Sequence, residues 1–305
     1  MSLTTSKKNI YQGIVLAVLA TIIWSGNFVV ARGVIHEIPP ISLAFYRWLT
    51  ATLIITPFAI RQFNTEKSVV AKNIRYLFWV ALFGITIYNT LIYVAGQYLP
   101  AVNLALIGTT SSPVMSIVLA AIFLKEAIKP LRIMGLVLCI CGILLLLSQG
   151  SLEKLYNFHF SPGDWWILLA ALSFAVYNIM VRKKPSGISP VNFLFVTFSV
   201  GTLLLLPAFI IEAANTDPVK WTGSLVGVIL YLGIGNSILS FLFWNASIGQ
   251  LGAGRTALFG NLIPIFSSIE AVIILGEKIT SIHIISGILV IGGLIIANLR
   301  KSNSS

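Results

Sequence analysis

Charge is scarce in this sequence. Only 10% of its 305 residues are Asp, Glu, Lys or Arg, and just 9 are acidic, where a soluble domain carries about 25% charged residues. A water-soluble globule of this size would lack the charge to cover its surface. With 57% hydrophobic residues and a mean hydropathy of +0.94, the chain reads as an integral membrane protein. Cysteine and histidine are rare as well. Cys139 and Cys141 stand two apart in an apolar run, where helical geometry turns their side chains away from each other and excludes a disulfide between them. His36, His159 and His283 are scattered and share no ligand spacing, so no metal and no cofactor is expected. No HExxH, no G-x-S-x-G and no carboxylate cluster lies within the apolar runs, so no catalytic residue is expected and the chain reads as a non-enzyme. A net charge of +11 in a soluble protein would suggest nucleic acid. In a membrane protein Lys and Arg gather in cytoplasmic loops instead, and no nucleic-acid partner is expected.

Uninterrupted apolar runs supply the architecture. They lie at about 13–31, 40–60, 76–96, 101–124, 131–148, 164–181, 190–211, 222–245, 253–275 and 281–299. Their lengths suit helical crossings of about 20 residues, and none has the alternation of a membrane barrel. The expected fold is an all-α integral membrane protein with ten transmembrane helices. The first run is longer than a signal-peptide core and lacks a small-residue cleavage site, so it is read as a retained span. With the N-terminus in the cytoplasm, only Arg32, Lys154, Lys220 and Lys278 of the 20 Lys and Arg face outward, and Arg47 lies within a span, which leaves 15 inside. That bias predicts cytoplasmic N- and C-termini. Trp165, Trp166 and Trp221 then fall at outer span ends as headgroup anchors.

The chain also repeats itself. Ile38–Pro57 aligns without gaps on Ile188–Pro207 at an offset of 150, matching Pro40 to Pro190 and Pro57 to Pro207. At an offset of 151, Pro113 falls on Pro264, Ser116 on Ser267, Leu124 on Leu275 and Glu126 on Glu277. Two halves follow, 1–149 and 164–305, joined by a polar link at 150–163. Each half holds five spans, an odd number, so the second enters the membrane from the opposite face. Two inverted five-helix repeats are a scaffold of many secondary transporters.

These features carry a resemblance. The tandem spans, the run Trp24, Ser25, Gly26, Asn27, Phe28, the segment Ala95–Pro113 with its partner Ala246–Pro264, and the Leu-x-Glu ends at 124–126 and 275–277 resemble the drug/metabolite transporter superfamily in its ten-helix EamA branch. Within that branch the chain is most similar to bacterial inner-membrane exporters of aromatic amino acids. The resemblance implies a central cavity lined by spans 1, 3, 4, 6, 8 and 9, with spans 5 and 10 peripheral. It also implies export of aromatic or other amphipathic amino acids and related small metabolites by alternating access. Multidrug or other metabolite efflux on the same scaffold is the alternative. An ion channel is a remoter one, since neither a ring of charge nor a carbonyl filter is visible.

Polar groups inside the apolar runs mark the candidate site. Pro113 and Pro264 sit mid-span as helix breaks, and each frees the carbonyl four residues earlier, on Thr109 and Gly260. In lipid such groups need partners from protein, water or ligand; a plain packing kink is the other reading. Tyr88, Asn89 and Tyr93 recur at helical spacing on the third span, and Asn236, Ser240 and Trp244 on the eighth. Each stripe suits a watered cavity that stacks a ring and hydrogen-bonds a polar head, or else bonding between helices. Trp24, Asn27, Tyr177, Asn178 and Asn261 extend this character to spans 1, 6 and 9.

Two full charges lie well inside spans, Arg47 and Glu270. Arg47 follows Pro40 by seven residues and Glu270 precedes Leu275 by five, which puts them about 10 Å and about 7 Å from the same face. At matching depths they are candidates for an outer gate or for coupling to protons; a static pair, or two charges snorkelling separately, is the alternative. Glu126 and Glu277, at span ends beside Lys, read as boundary anchors. Gly135 and Cys139 offer a small-residue face for packing within the bundle or against another subunit, so the oligomeric state stays open. The expected partners are the lipid bilayer and a small-molecule substrate, aromatic amino acids first.

Overall fold

The computed structural model describes residues 7–125, 130–151, 153, 160–181, 183–251, 256 and 259–298. Among these the regular structure is helical throughout, in ten principal helices. They are α1 Lys7–Gly33, α2 Pro40–Lys72, α3 Ile74–Gly96, α4 Ala101–Leu124, α5 Pro130–Leu147, α6 Pro162–Val181, α7 Pro190–Asn215, α8 Gly223–Leu251, α9 Gly260–Leu275 and α10 Ser281–Asn298. Seven of them, α1 to α4 and α6 to α8, are long and apolar enough to cross a bilayer. The other three present the shorter apolar stretches Ile133–Leu147, Gly260–Leu275 and Ser281–Ala297. The shortest of these reaches about 22 Å, against about 30 Å of hydrocarbon. Large apolar side chains such as Leu53, Phe58, Phe123, Leu203, Ile211 and Ile273 point outward, as a surface solvated by lipid requires. The chain is a multi-pass membrane protein.

Prolines and carboxylates set the helix ends. Pro40 and Pro190 occupy the first turns of α2 and α7, where the missing N–H costs nothing. The orphan amides of those turns are capped across the bundle. Glu212, in the last turns of α7, accepts from Ile41 N (3.1 Å), Ser42 N (2.6 Å) and Ser42 Oγ (2.8 Å) at the start of α2. Reciprocally, Glu66 near the end of α2 accepts from Ser189 N (3.0 Å) and Asn192 Nδ2 (2.6 Å) at the start of α7. Ser42 and Asn192 are 150 residues apart. Glu277 is a cap rather than the expected boundary anchor: its carboxylate accepts from Ala101 N (2.7 Å) and Val102 N (3.1 Å) of α4. Its repeat counterpart Glu126, most of the link 150–163, and His159 lie outside the described residues. Asp164 caps its own helix through Ser161 N (2.9 Å). Four of the nine acidic side chains therefore serve helix N-termini, where the macrodipole favours negative charge.

Close packing falls where side chains are small. A Cβ at Gly135 would come within 3 Å of the Gly293 carbonyl, and one at Gly293 would meet Gly135 O at 2.6 Å and Cys139 Sγ at 2.7 Å. The face expected from Gly135 and Cys139 is thus used within the bundle, between α5 and α10. On the pair α2 and α7, Thr52 Oγ1 meets Thr202 Oγ1 at 3.3 Å, a sequence separation of 150. Both α3 and α8 widen into π-helical turns, at Leu82–Ile87 and Tyr231–Leu239, again about 150 residues apart. Single π turns inside α-helices are frequent at functional sites.

Candidate functional site

Arg47 is the node. Its side chain projects from α2 into the meeting point of α1, α3 and α8 and is only 4% exposed. Nε donates to Ser237 Oγ at 3.0 Å, and the two terminal nitrogens donate to Asn27 Oδ1 (2.6 Å), Asn89 Oδ1 (2.8 Å), Tyr93 OH (2.7 Å) and Asn236 Oδ1 (2.7 Å). The guanidinium also lies 4.7 Å from the centroid of the neighbouring Trp48 ring. A planar fork with five N–H groups is what lets one side chain serve acceptors on three other helices. Every one of these partners is neutral, and no carboxylate pairs with Arg47 among the described residues. Among the described residues the cation is hydrogen-bonded but its charge is not balanced.

The short run Ile23 to Asn27 on α1 collects the remaining bonds. Ile23 O accepts from Tyr231 OH (2.6 Å) and Asn236 Nδ2 (2.7 Å), while Trp24 Nε1 donates to Asn236 O at 3.2 Å. Tyr231 reaches that carbonyl because residue 26 is glycine: a Cβ there would collide with the phenol oxygen. Ser25 Oγ lies 2.7 Å from Glu270 Oε1 on α9. Of the readings that the sequence leaves open for Arg47 and Glu270, a direct pair is therefore not formed in this arrangement. Asn27 holds one and Ser25 the other, and residues two apart on a helix point about 200° apart, so α1 stands between the two charges.

The other expected residues fall into separate groups. Trp24 packs on Trp244 (centroids 5.1 Å apart) and on Phe241 (5.4 Å). Gly260 borders this cluster, since a Cβ there would lie 3.8 Å from the Trp244 ring. Tyr88 stacks on Phe174 at 4.3 Å, and Phe174 stacks on Tyr177 at 5.4 Å, with half-buried Asn178 on the same helix. Thr109 and Ser240 donate to carbonyls of their own helices, Ala105 O (2.7 Å) and Asn236 O (2.6 Å). Pro113 sits inside the continuous helix α4, whereas Pro264 occupies the first α-helical turn of α9, after the 3₁₀ turn Gly260–Leu262. The Gly260 carbonyl, expected to be freed by Pro264, instead accepts from Ile263 N in the 3₁₀ turn, so the two prolines differ in what they do. Around them lie buried polar atoms without a hydrogen-bond partner among the described residues: the hydroxyls of Thr110, Ser111, Ser112 and Ser116 on α4, and Asn261 Nδ2, Ser267 Oγ and Glu270 Oε2 on α9.

Tyr231 and Ser237 are not among the candidates that the sequence offers, and Ser25 enters there only within the run Trp24 to Phe28. Ser237 follows Asn236 directly, and neighbours on an α-helix point about 100° apart. The π turn holds an extra residue and brings both toward Arg47. Beyond this buried cluster, at the end of the bundle where α1 finishes, a groove of about 360 Å³ opens between Arg32, His36, Pro100, Leu275 and Glu277.

Comparisons with known proteins speak to the family and the fold. The chain is 28% identical over 292 residues to the uncharacterized transporter YyaM of Bacillus subtilis, covering 94% of each protein. It is 26% identical over 300 residues to a protein of Salmonella typhimurium named a probable amino-acid metabolite efflux pump, covering 92% of this chain and 93% of that one. A solved crystal structure shares the fold with a TM-score of 0.60 at 18% identity, over 93% of this chain and 96% of its own. The model of the EamA-like transporter family matches twice, at residues 11–148 and 161–299, and with nearly the whole length accounted for, the chain belongs to that family of small-molecule transporters.

Proposed function

We propose that the protein exports aromatic or other amphipathic amino acids, and related small metabolites, by alternating access between two inverted five-helix repeats. The halves are 1–149 and 164–305, linked by 150–163 and lodged in a bacterial inner membrane with both termini in the cytoplasm. The double family match supports the duplication, as do the reciprocal caps of α2 and α7, the Thr52–Thr202 contact and the two π turns. The 15 to 4 distribution of Lys and Arg supports the orientation. The Salmonella relative's name supports an amino-acid cargo.

The observation that carries the reading is Arg47, a buried cation held, among the described residues, by neutral groups. A substrate carboxylate that reaches it gains a charge-assisted hydrogen bond and balances its charge. Asn27, Asn89, Tyr93 and Asn236 would exchange their bonds with that carboxylate. Trp24, Trp244, Tyr88 and Tyr177 supply ring surface for the side chain. The unpartnered hydroxyls and amide beside Pro113 and Pro264 belong to a seam between α4 and α9 that would admit water or substrate as the halves rock.

Flux of radiolabelled phenylalanine through proteoliposomes tests this, with phenethylamine as the analogue lacking a carboxylate. Phenylalanine flux should saturate, phenethylamine should compete weakly, and Asn236→Ala or Trp244→Ala should lower flux several-fold at normal expression. Unchanged kinetics in both variants would remove α8 from the pathway.

A further inference from the structure

We propose that Glu270 is a proton-exchange site, protonated in the arrangement seen here and released when the seam between α1 and α9 opens, so that protons move in exchange for substrate. The inference rests on the transport reading above and adds a second transported species. Its first support is a count of protons around Ser25. The Ser25 hydroxyl lies 2.6 Å from Ile22 O and 2.7 Å from Glu270 Oε1. It has one proton, and the Ile22 carbonyl can only accept. Both short contacts are full hydrogen bonds together only if Glu270 brings the second proton, donating to Ser25 Oγ while Ser25 donates to Ile22 O. An ionised Glu270 would leave the single serine proton to be shared between two acceptors at 2.6 and 2.7 Å, a weaker three-centre arrangement than two full hydrogen bonds.

The second support is Glu270 Oε2, which is buried and has no hydrogen-bond partner among the described residues. An ionised carboxylate seeks several donors, whereas the carbonyl oxygen of a neutral acid tolerates fewer. No balancing cation is at hand among the described residues. Arg47 spends its donors on neutral acceptors across α1. Arg32, at the end of α1, binds Gly96 O (3.2 Å) and Gln97 O (3.4 Å). On α10, His283 meets Thr280 Oγ1 (2.8 Å) and Asn103 Oδ1 (3.1 Å). Tyr231 on α8 donates to Ile23 O, and α4 carries no titratable residue. The groove lined by Leu275 and Glu277 begins five residues further along α9, about 7 Å away, which gives the proton a short route to water.

Glu270→Gln is the test variant because its amide reproduces the donor and acceptor of the neutral acid and cannot release a proton. In proteoliposomes preloaded with radiolabelled phenylalanine, an acidic outside should accelerate wild-type efflux several-fold over its gradient-free rate. Glu270→Gln should show no acceleration over its own. A gradient response kept by Glu270→Gln, or one absent from a wild type that does move phenylalanine, overturns the proposal. A second readout needs no substrate: the infrared carbonyl stretch of a protonated carboxylic acid at neutral pH, taken as wild type minus Glu270→Gln. The band supports the site and its absence overturns it. A wild type that keeps the band but moves no phenylalanine refutes the cargo and leaves the proton site standing.

Discussion

Replacing Arg47 by Lys keeps the charge and removes the fork. The guanidinium reaches five acceptors at 2.6 to 3.0 Å, spread over α1, α3 and α8. A lysine ammonium offers three protons from one nitrogen, so at least two buried acceptors lose their donor. Each orphaned group costs about 1–3 kcal/mol, for a total near ~2–6 kcal/mol. The surviving Tyr93 OH to Asn27 bond, at 3.0 Å, places the value toward the lower end. At roughly 2 °C per kcal/mol for a chain of this length, the melting temperature in detergent should fall by about 4–12 °C. Arg32→Lys is the control. Arg32 donates to two carbonyls at 3.2 and 3.4 Å on the partly exposed end of α1, where water replaces a lost bond, and the expected loss is below about 0.5 kcal/mol. Melting curves of the two variants that coincide within 2 °C would show that the guanidinium does not hold the four helices together.

Gly26→Ala should destabilise by about 1–3 kcal/mol through its collision with the Tyr231 hydroxyl. Tyr231→Phe in the same chain should recover part of that loss, and a double variant no more stable than Gly26→Ala would argue against the collision. Lys125 closes α4 at φ 54 where Gly276 closes α9 at φ 67, so Lys125→Gly should raise stability by about 1 kcal/mol, read as a higher melting temperature. A reporter that fluoresces only in the cytoplasm should light up when fused after Ser305. A dark fusion together with an active periplasmic reporter at that point would overturn the proposed orientation.

Much of the helical layout is legible in the sequence because lipid selects for uninterrupted apolar runs. The expected run 164–181 is the helix Pro162–Val181, and 190–211 becomes Pro190–Asn215. Helix and hydrocarbon do not end together, however. The second run stops near residue 60 while α2 continues to Lys72 through polar residues that still favour a helix. The amides Asn27, Asn89 and Asn236 are conspicuous in apolar surroundings, yet nothing local says that they converge on Arg47. That depends on four helices meeting. Ser237 escapes a search at α-helical spacing because the π turn changes the period. The role of Glu277 is hidden for another reason: the donors to its carboxylate are backbone amides of a helix start 175 residues away, and amides leave no mark in a sequence.

The crossed caps of α2 and α7 have a consequence for biogenesis. Glu212 lies 170 residues beyond the Ser42 amide that it satisfies. At about 5–20 residues per second of synthesis, the start of α2 waits on the order of 10–30 s in the insertion machinery before its cap exists. During that interval its free amides must lean on water, headgroups or the translocation apparatus. A ribosome that stalled after the first five helices would release a half-protein with an open helix end, marked for quality control by the very groups that the finished chain conceals.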